Sequence, residues 1–103
     1  MTQEELKAKL NDYDLKGATM EELISDRDSA RDMYAKCSNM HSAIYDAVRG
    51  ADDEPYGERP TREVDDATTE LLSAIRLEAE IYYLHASRLG VELVERLSKM
   101  DNN

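Results

Sequence analysis

The 103-residue sequence has few of the residues that form disulfides, turns or β-sheet cores. It contains one cysteine, two prolines, four glycines, and neither phenylalanine nor tryptophan. A single cysteine, Cys37, excludes an internal disulfide and leaves no CxxC pair for zinc or redox chemistry. The shortage of turn residues and of aromatic bulk argues against a β-sandwich. We therefore expect a single all-α domain.

The sequence also lacks a hydrophobic run of the roughly 18 residues that would span a bilayer. Its first residues, MTQEELKAKL, have no apolar core of the signal-peptide type, so we expect a cytoplasmic protein without a membrane partner. Basic residues are a minority, with 13 Lys and Arg against 23 Asp and Glu, which gives a net charge of -10. This charge argues against direct binding of nucleic-acid phosphates.

Three helices are predicted from capping patterns and hydrophobic spacing. The spacing of helix-start capping pairs occurs twice, in Thr2 followed by Glu5 and in Thr19 followed by Glu22. Within one domain of residues 1–103, the predicted elements are helices at about 3–12, 20–49 and 61–98 and an acidic loop at 51–60. At 1.5 Å per residue the two long helices would be about 45 and 55 Å long, so the loop between them predicts an antiparallel hairpin.

The ends of the first two helices are predicted from glycine. Gly17 is expected to adopt a left-handed conformation after the first helix, and Gly50 is expected to end the second. The first helix would then lie over the far end of the hairpin. Because the third helix is longer than the second, its residues Leu93, Leu97 and Met100 would extend past the start of the second helix. Leu6 and Leu10 of the first helix would cover these three side chains.

The third helix has two apolar stripes. The stripe predicted to pack inside the hairpin contains Val64, Thr68, Leu71, Leu72, Ile75, Ala79, Tyr82, Ala86, Leu89, Leu93 and Leu97. A second stripe on nearly the opposite side has coiled-coil spacing, and it contains Ala74, Leu77, Ile81, Leu84 and Val91. One hairpin cannot bury both stripes, so we predict that self-association completes the bundle through the second. The alternative is that the first helix folds over it.

Asp26 lies on the apolar seam of the second helix, where an unpaired charge is costly. Antiparallel pairing would bring it near His85, and the simplest interpretation is a buried polar contact that fixes the register of the helices. The alternative is a carboxylate metal-dependent enzyme, for which Glu92 with Glu95 is the one Glu-x-x-Glu fragment. Because no complete motif is present, we predict no catalytic residue, no metal ligand and no cofactor.

Arg27, Arg31 and Tyr34 follow one another at intervals of four and three residues along one edge of the second helix. Two guanidinium groups and an aromatic ring in this pattern suit a phosphate and a stacked base. They predict, as an alternative function, an oligomeric sponge for a small nucleotide-like anion. Solvated ion pairs with Asp28 and Asp32 are the other interpretation.

The acidic charge is concentrated in the loop. Asp52, Asp53, Glu54 and Glu58 could together contact a basic surface of another protein. The other interpretation is structural, because acids suit both a solvated loop and the start of the next helix.

The plan of a short helix followed by a long helical hairpin is similar to that of several small phage and bacterial regulatory proteins. These include inhibitors of antiviral defence and sponges for cyclic oligonucleotide signals. The resemblance is one of architecture only: no family motif is matched residue by residue, so it identifies no family and assigns no site. The predicted function is a non-enzymatic, acidic interaction protein, an inhibitor or adaptor, that binds itself and a basic protein partner.

Overall fold

The structure, a computed structural model, describes residues 2–49 and 61–101. Three helices account for nearly all of them: α1 at Gln3–Asn11, α2 at Met20–Arg49 and α3 at Arg62–Asp101. These two ranges contain no strand, and α2 packs against α3. The predicted all-α class and the pairing of the two long helices are therefore confirmed. None of these helices is both long and apolar enough to cross a membrane.

The predicted capping pairs are present at the starts of the first two helices. The Thr2 hydroxyl accepts a hydrogen bond from the Glu5 backbone N–H at 3.1 Å. The Thr19 hydroxyl accepts from the Glu22 N–H at 3.1 Å, and the Glu22 carboxylate accepts from the Thr19 N–H at 3.3 Å. Each pair satisfies backbone donors that the first helical turn leaves without partners.

The chain leaves α1 without a left-handed residue. Asp12 caps the helix in a right-handed helical conformation, and Gly17 does not have a positive φ, so the prediction for Gly17 is wrong. The reason for a glycine there is steric. Asp14 Oδ1 accepts the Gly17 N–H at 3.0 Å, and the same carboxylate occupies the space that a Cβ at Gly17 would need. The predicted stop at Gly50 lies outside the described residues.

Two clusters of buried side chains join the long helices. One consists of Leu23, Leu89 and Leu93. The other consists of Cys37, Ile75 and Ala79. Leu23, early in α2, meets Leu89 and Leu93, late in α3. Cys37, further along α2, meets Ile75 and Ala79, earlier in α3. This reversal is the antiparallel arrangement of a hairpin.

The predicted position of α1 is wrong. The side-chain amide of Gln3 donates to the Ala74 carbonyl oxygen at 2.8 Å, and Arg88 Nη1 donates to Asn11 Oδ1 at 3.1 Å. Since Gln3 begins α1 and Asn11 ends it, α1 runs parallel to α3 between Ala74 and Arg88. It lies beside the middle of α3 and does not cover the end of the hairpin.

The end of the hairpin is covered by the segment between α1 and α2, residues 12–19, which we call the connection. Tyr13, Leu15 and Ala18 pack against the cluster that contains Leu93. Leu97 is exposed, as is Met100 at the end of α3. The connection takes the place predicted for α1 because it has apolar side chains of its own and directly precedes α2.

Three members of the predicted inner stripe of α3 are exposed. Val64 is 47% exposed, Leu71 49% and Leu97 50%. Val64 and Leu71 precede the part of α3 that α1 covers, so α2 is the only one of the three helices that lies beside them. Leu97 lies beyond the last buried cluster. The inner stripe is therefore buried mainly in the middle of α3.

Candidate binding surfaces and polar clusters

The predicted anion-binding residues line one groove on the hairpin. Arg27, Arg31 and Tyr34 contribute from α2, and α3 adds Tyr83, Ala86 and Ser87. The groove has a volume of about 470 Å³. The intervals of four and three residues place the α2 side chains on one edge of that helix, and the antiparallel register brings Tyr83 to Tyr34. Their ring centroids are 5.6 Å apart, with an angle of 49° between the planes.

The two arginines of the groove have few partners. Arg27 Nη2 lies 3.5 Å from Asp28 Oδ1, and the Asp28 side chain is exposed. Arg27 Nε is shielded from solvent and has no hydrogen-bond partner. Within residues 2–49 and 61–101, the only ion pair of these two arginines is therefore the long one between Arg27 and Asp28, one of the two acids predicted to pair with them.

Asp26 and His85 both contact Tyr13 of the connection. The Tyr13 hydroxyl donates to Asp26 Oδ2 at 2.6 Å, and the Tyr13 and His85 rings meet edge to face with centroids 5.1 Å apart. Burial, followed by this hydrogen bond, raises the pKa of Tyr13 to about 12. Asp26 is half-buried and His85 is buried. Tyr13 thus supplies the Asp26 partner that the helix pattern alone did not identify.

His85 is held in its neutral form. Burial lowers the pKa of His85, the charge of Arg88 lowers it further, and Asp26 acts in the opposite direction. Since a neutral imidazole and a tyrosine ring can pack together without an unpaired charge, the cluster fits a structural contact between the connection, α2 and α3.

Glu92 forms a second polar cluster with cations from two parts of the chain. Lys16 Nζ lies 2.8 Å from Glu92 Oε2, and Arg96 Nε donates to Oε1 at 3.1 Å. Arg96 also donates to the carbonyl oxygens of Ala18 at 2.6 Å and Leu15 at 2.8 Å. The hydrogen bond from Lys16, more than any other influence, holds the pKa of Glu92 below its ordinary value. These ion pairs and hydrogen bonds join the connection to α3.

The contacts of Glu92 and Glu95 differ from those of the carboxylate metal site that their Glu-x-x-Glu spacing suggested. Both oxygens of Glu92 are occupied by cations, and Glu95 lies 3.8 Å from the same Lys16. Within residues 2–49 and 61–101 there is no group of three or more His, Cys, Asp or Glu side chains that could hold a metal ion.

The outer face of α3 keeps exposed apolar residues. Leu77 is 51% exposed, Leu84 61% and Val91 58%, and Ala74 is also exposed. Ile81 is half-buried because it lies beside α1, and Leu77 and Leu84 line the same small groove with Lys7. The first helix therefore borders part of this stripe, as the alternative proposed, but leaves Leu77 and Leu84 more than half exposed. We call Leu77, Leu84 and Val91 the outer seam.

The four acids predicted to bind a partner, Asp52, Asp53, Glu54 and Glu58, lie outside the described residues. Comparison with protein-family models, with curated proteins and with solved structures finds no match to this chain. Its function must therefore be inferred from its own residues.

Proposed function

We propose that this chain is a non-enzymatic helical interaction protein, an inhibitor or adaptor, whose first partner is a second copy of itself bound at the outer seam. The observation that carries the proposal is the row of Leu77, Leu84 and Val91, each more than half exposed. Intervals of seven residues place all three on one line along α3, which is the pattern of a coiled-coil seam.

Helix packing supplies the driving force. A fully buried leucine side chain contributes roughly 1.5 to 3 kcal/mol relative to an exposed one. Because each seam residue is already about half covered, covering the rest should contribute about 1 kcal/mol per residue. A partner helix laid along the seam would engage the three side chains together.

Charge determines how each kind of partner responds to salt. Two copies that each have a net charge of -10 repel one another, so added salt should strengthen self-association by screening the repulsion. A basic partner at Asp52, Asp53, Glu54 and Glu58 should bind less tightly as salt is added. Loss of that binding after Asp52→Asn, Asp53→Asn and Glu54→Gln would identify the acidic loop as the contact.

The seam is tested by substitution of its most exposed leucine. Leu84→Asp should convert the assembly to a monomer in light scattering, because a carboxylate would then lie in the apolar contact. Leu84 is a sharper choice than Ile81 because Leu84 is 61% exposed and Ile81 is half-buried, although both side chains line the groove beside α1. Met40→Asp is the matched control, because Met40 is exposed on α2, away from the seam.

The wild type and Met40→Asp should give the same multimeric mass, which should rise or persist with added salt. A monomeric mass for the wild type at every protein and salt concentration would exclude self-association. An unchanged mass for Leu84→Asp would place the contact elsewhere on the chain.

A further inference from the structure

The groove lined by Arg27, Arg31, Tyr34 and Tyr83 differs in charge from the other grooves of the hairpin. Its described lining contains two arginines and no carboxylate. Four other grooves each include at least one acid: Asp26 in the first, Glu80 in the second, Glu92 and Glu95 in the third, and Glu4 with Glu80 in the fourth. On a chain with a net charge of -10, a groove of this composition is chemically distinct.

The arginines have unused hydrogen-bonding capacity. Arg27 Nε has no hydrogen-bond partner but is shielded from solvent, so a ligand in the groove would meet the other nitrogens of this partly exposed side chain. Its exposed neighbour Asp28 is 3.5 Å from Nη2, which is a weak contact that a better anion could replace. Arg31, one helical turn further on, faces the same groove. Two guanidinium groups at this spacing suit a phosphate, which accepts several hydrogen bonds at once.

The tyrosines supply a surface for a flat ring. Tyr83 is 57% exposed, and Tyr34 is 40% exposed beside it. At a centroid distance of 5.6 Å and an angle of 49°, the rings leave no slot between them for a third ring. A ligand ring would therefore stack on the free face of Tyr83. Stacking of this kind tolerates different bases, because every base has a π-face.

We propose that this groove binds a small phosphate that carries a flat aromatic ring, the chemistry of a nucleoside monophosphate. The phosphate is held by Arg27 and Arg31, and the base stacks on Tyr83. The volume of about 470 Å³ falls within the range of small-ligand sites. This site lies at the α2 and α3 edge and borders the outer seam at Ser87. All of its residues come from one chain, so it does not require self-association.

Calorimetric titration with AMP and GMP tests the site, with adenosine and inorganic phosphate as the two halves of the ligand. Both nucleotides should bind, and each half should bind at least about tenfold more weakly because it uses only one part of the groove. Arg31→Gln should weaken AMP binding about tenfold or more, the usual effect of losing a charged hydrogen bond. Tyr83→Ala should weaken it about tenfold through lost stacking, while Tyr83→Phe should bind like the wild type.

Lys99→Gln is the matched control, since it removes one positive charge from an exposed residue near the end of α3 and should leave binding unchanged. Circular dichroism and melting temperature establish that each variant is folded. The proposal is overturned if neither nucleotide binds the wild type, if folded Arg31→Gln binds AMP as tightly as the wild type, or if Lys99→Gln weakens binding as much as Arg31→Gln does. Light scattering on the same samples keeps this result separate from the oligomeric state.

Discussion

The two ends of the hairpin differ in how completely they are packed. At the end wrapped by the connection, Leu23 and Leu89 have no exposed surface. At the opposite end, towards the start of α3, Met40 is 54% exposed and Leu71 49%. Both ends are built from the same two helices. At the opposite end Leu72 is also buried, but the fully buried leucines lie at the wrapped end. Within residues 2–49 and 61–101 the connection supplies a third packing segment there, which agrees with the need of a core for more than two helices.

The largest contrast between the ends should appear in leucine truncations. Leu89→Ala should lower the free energy of unfolding by about 3 to 4 kcal/mol, because it leaves a cavity among fully buried side chains. Leu71→Ala removes the same atoms from a half-exposed position and should cost about 1 kcal/mol or less. Urea unfolding measures both, and equal losses would mean that the two ends are packed alike.

The wrapped end, where His85 and Glu92 lie, should also be the part of the molecule that loses stability in acid. Because the pKa of His85 lies below its ordinary value of 6.5, the unfolded chain takes up this proton at a higher pH than the folded chain. The contribution of His85 to stability is then fully present above about pH 6.5 and is lost as the pH falls through its lowered pKa. The depressed pKa of Glu92 adds a second loss below about pH 4.5, where its stabilising contacts disappear.

Thermal unfolding from neutral to acidic pH separates these two steps. His85→Gln should flatten the decline that begins below about pH 6.5, and Glu92→Gln should remove part of the decline below about pH 4.5. The slope against pH is the readout, since either substitution also changes stability at neutral pH. If His85→Gln had the same slope as the wild type, His85 would not be the group that titrates.

The smallest contrast involves two glycines near the wrapped end. A Cβ at Gly90 would meet nothing within 4 Å, so Gly90→Ala should stabilise α3 by about 0.5 to 1 kcal/mol through helix propensity. At Gly17 the added Cβ would displace the Asp14 carboxylate that accepts the Gly17 N–H. Gly17→Ala should therefore cost about 1 kcal/mol. Denaturation midpoints measure both changes, and a loss at Gly90 would mean that α3 bends there.

The helices could be predicted from the sequence because their signals are local. Thr19 and Glu22 are three residues apart and determine the start of α2 by themselves. The position of α1 was not predictable in this way, since it depends on Gln3 meeting Ala74, 71 positions away. The partners of Glu92 were missed for the same reason. Its spacing to Glu95 is visible in the sequence, whereas Lys16 is 76 positions distant.

The anion groove was predicted in part. Arg27, Arg31 and Tyr34 form a local pattern on α2, and the structure places them in one groove. Tyr83 was not assigned to it because its contribution depends on the register between the helices. Extending the predicted pairing of Asp26 with His85 by two helical turns would have placed Tyr34 opposite Leu77, so the contact between Tyr34 and Tyr83 could not be found from that pairing.

The bond from Arg96 to the Leu15 carbonyl joins residues 81 positions apart. A ribosome makes the amino-terminal part first, so the connection must wait for almost the whole of α3 to be synthesised before it can be fastened. During that interval Leu23 has neither Leu89 nor Leu93 to cover it. The wrapped end, the best-packed part of the finished molecule, is therefore among the last to form on a growing chain.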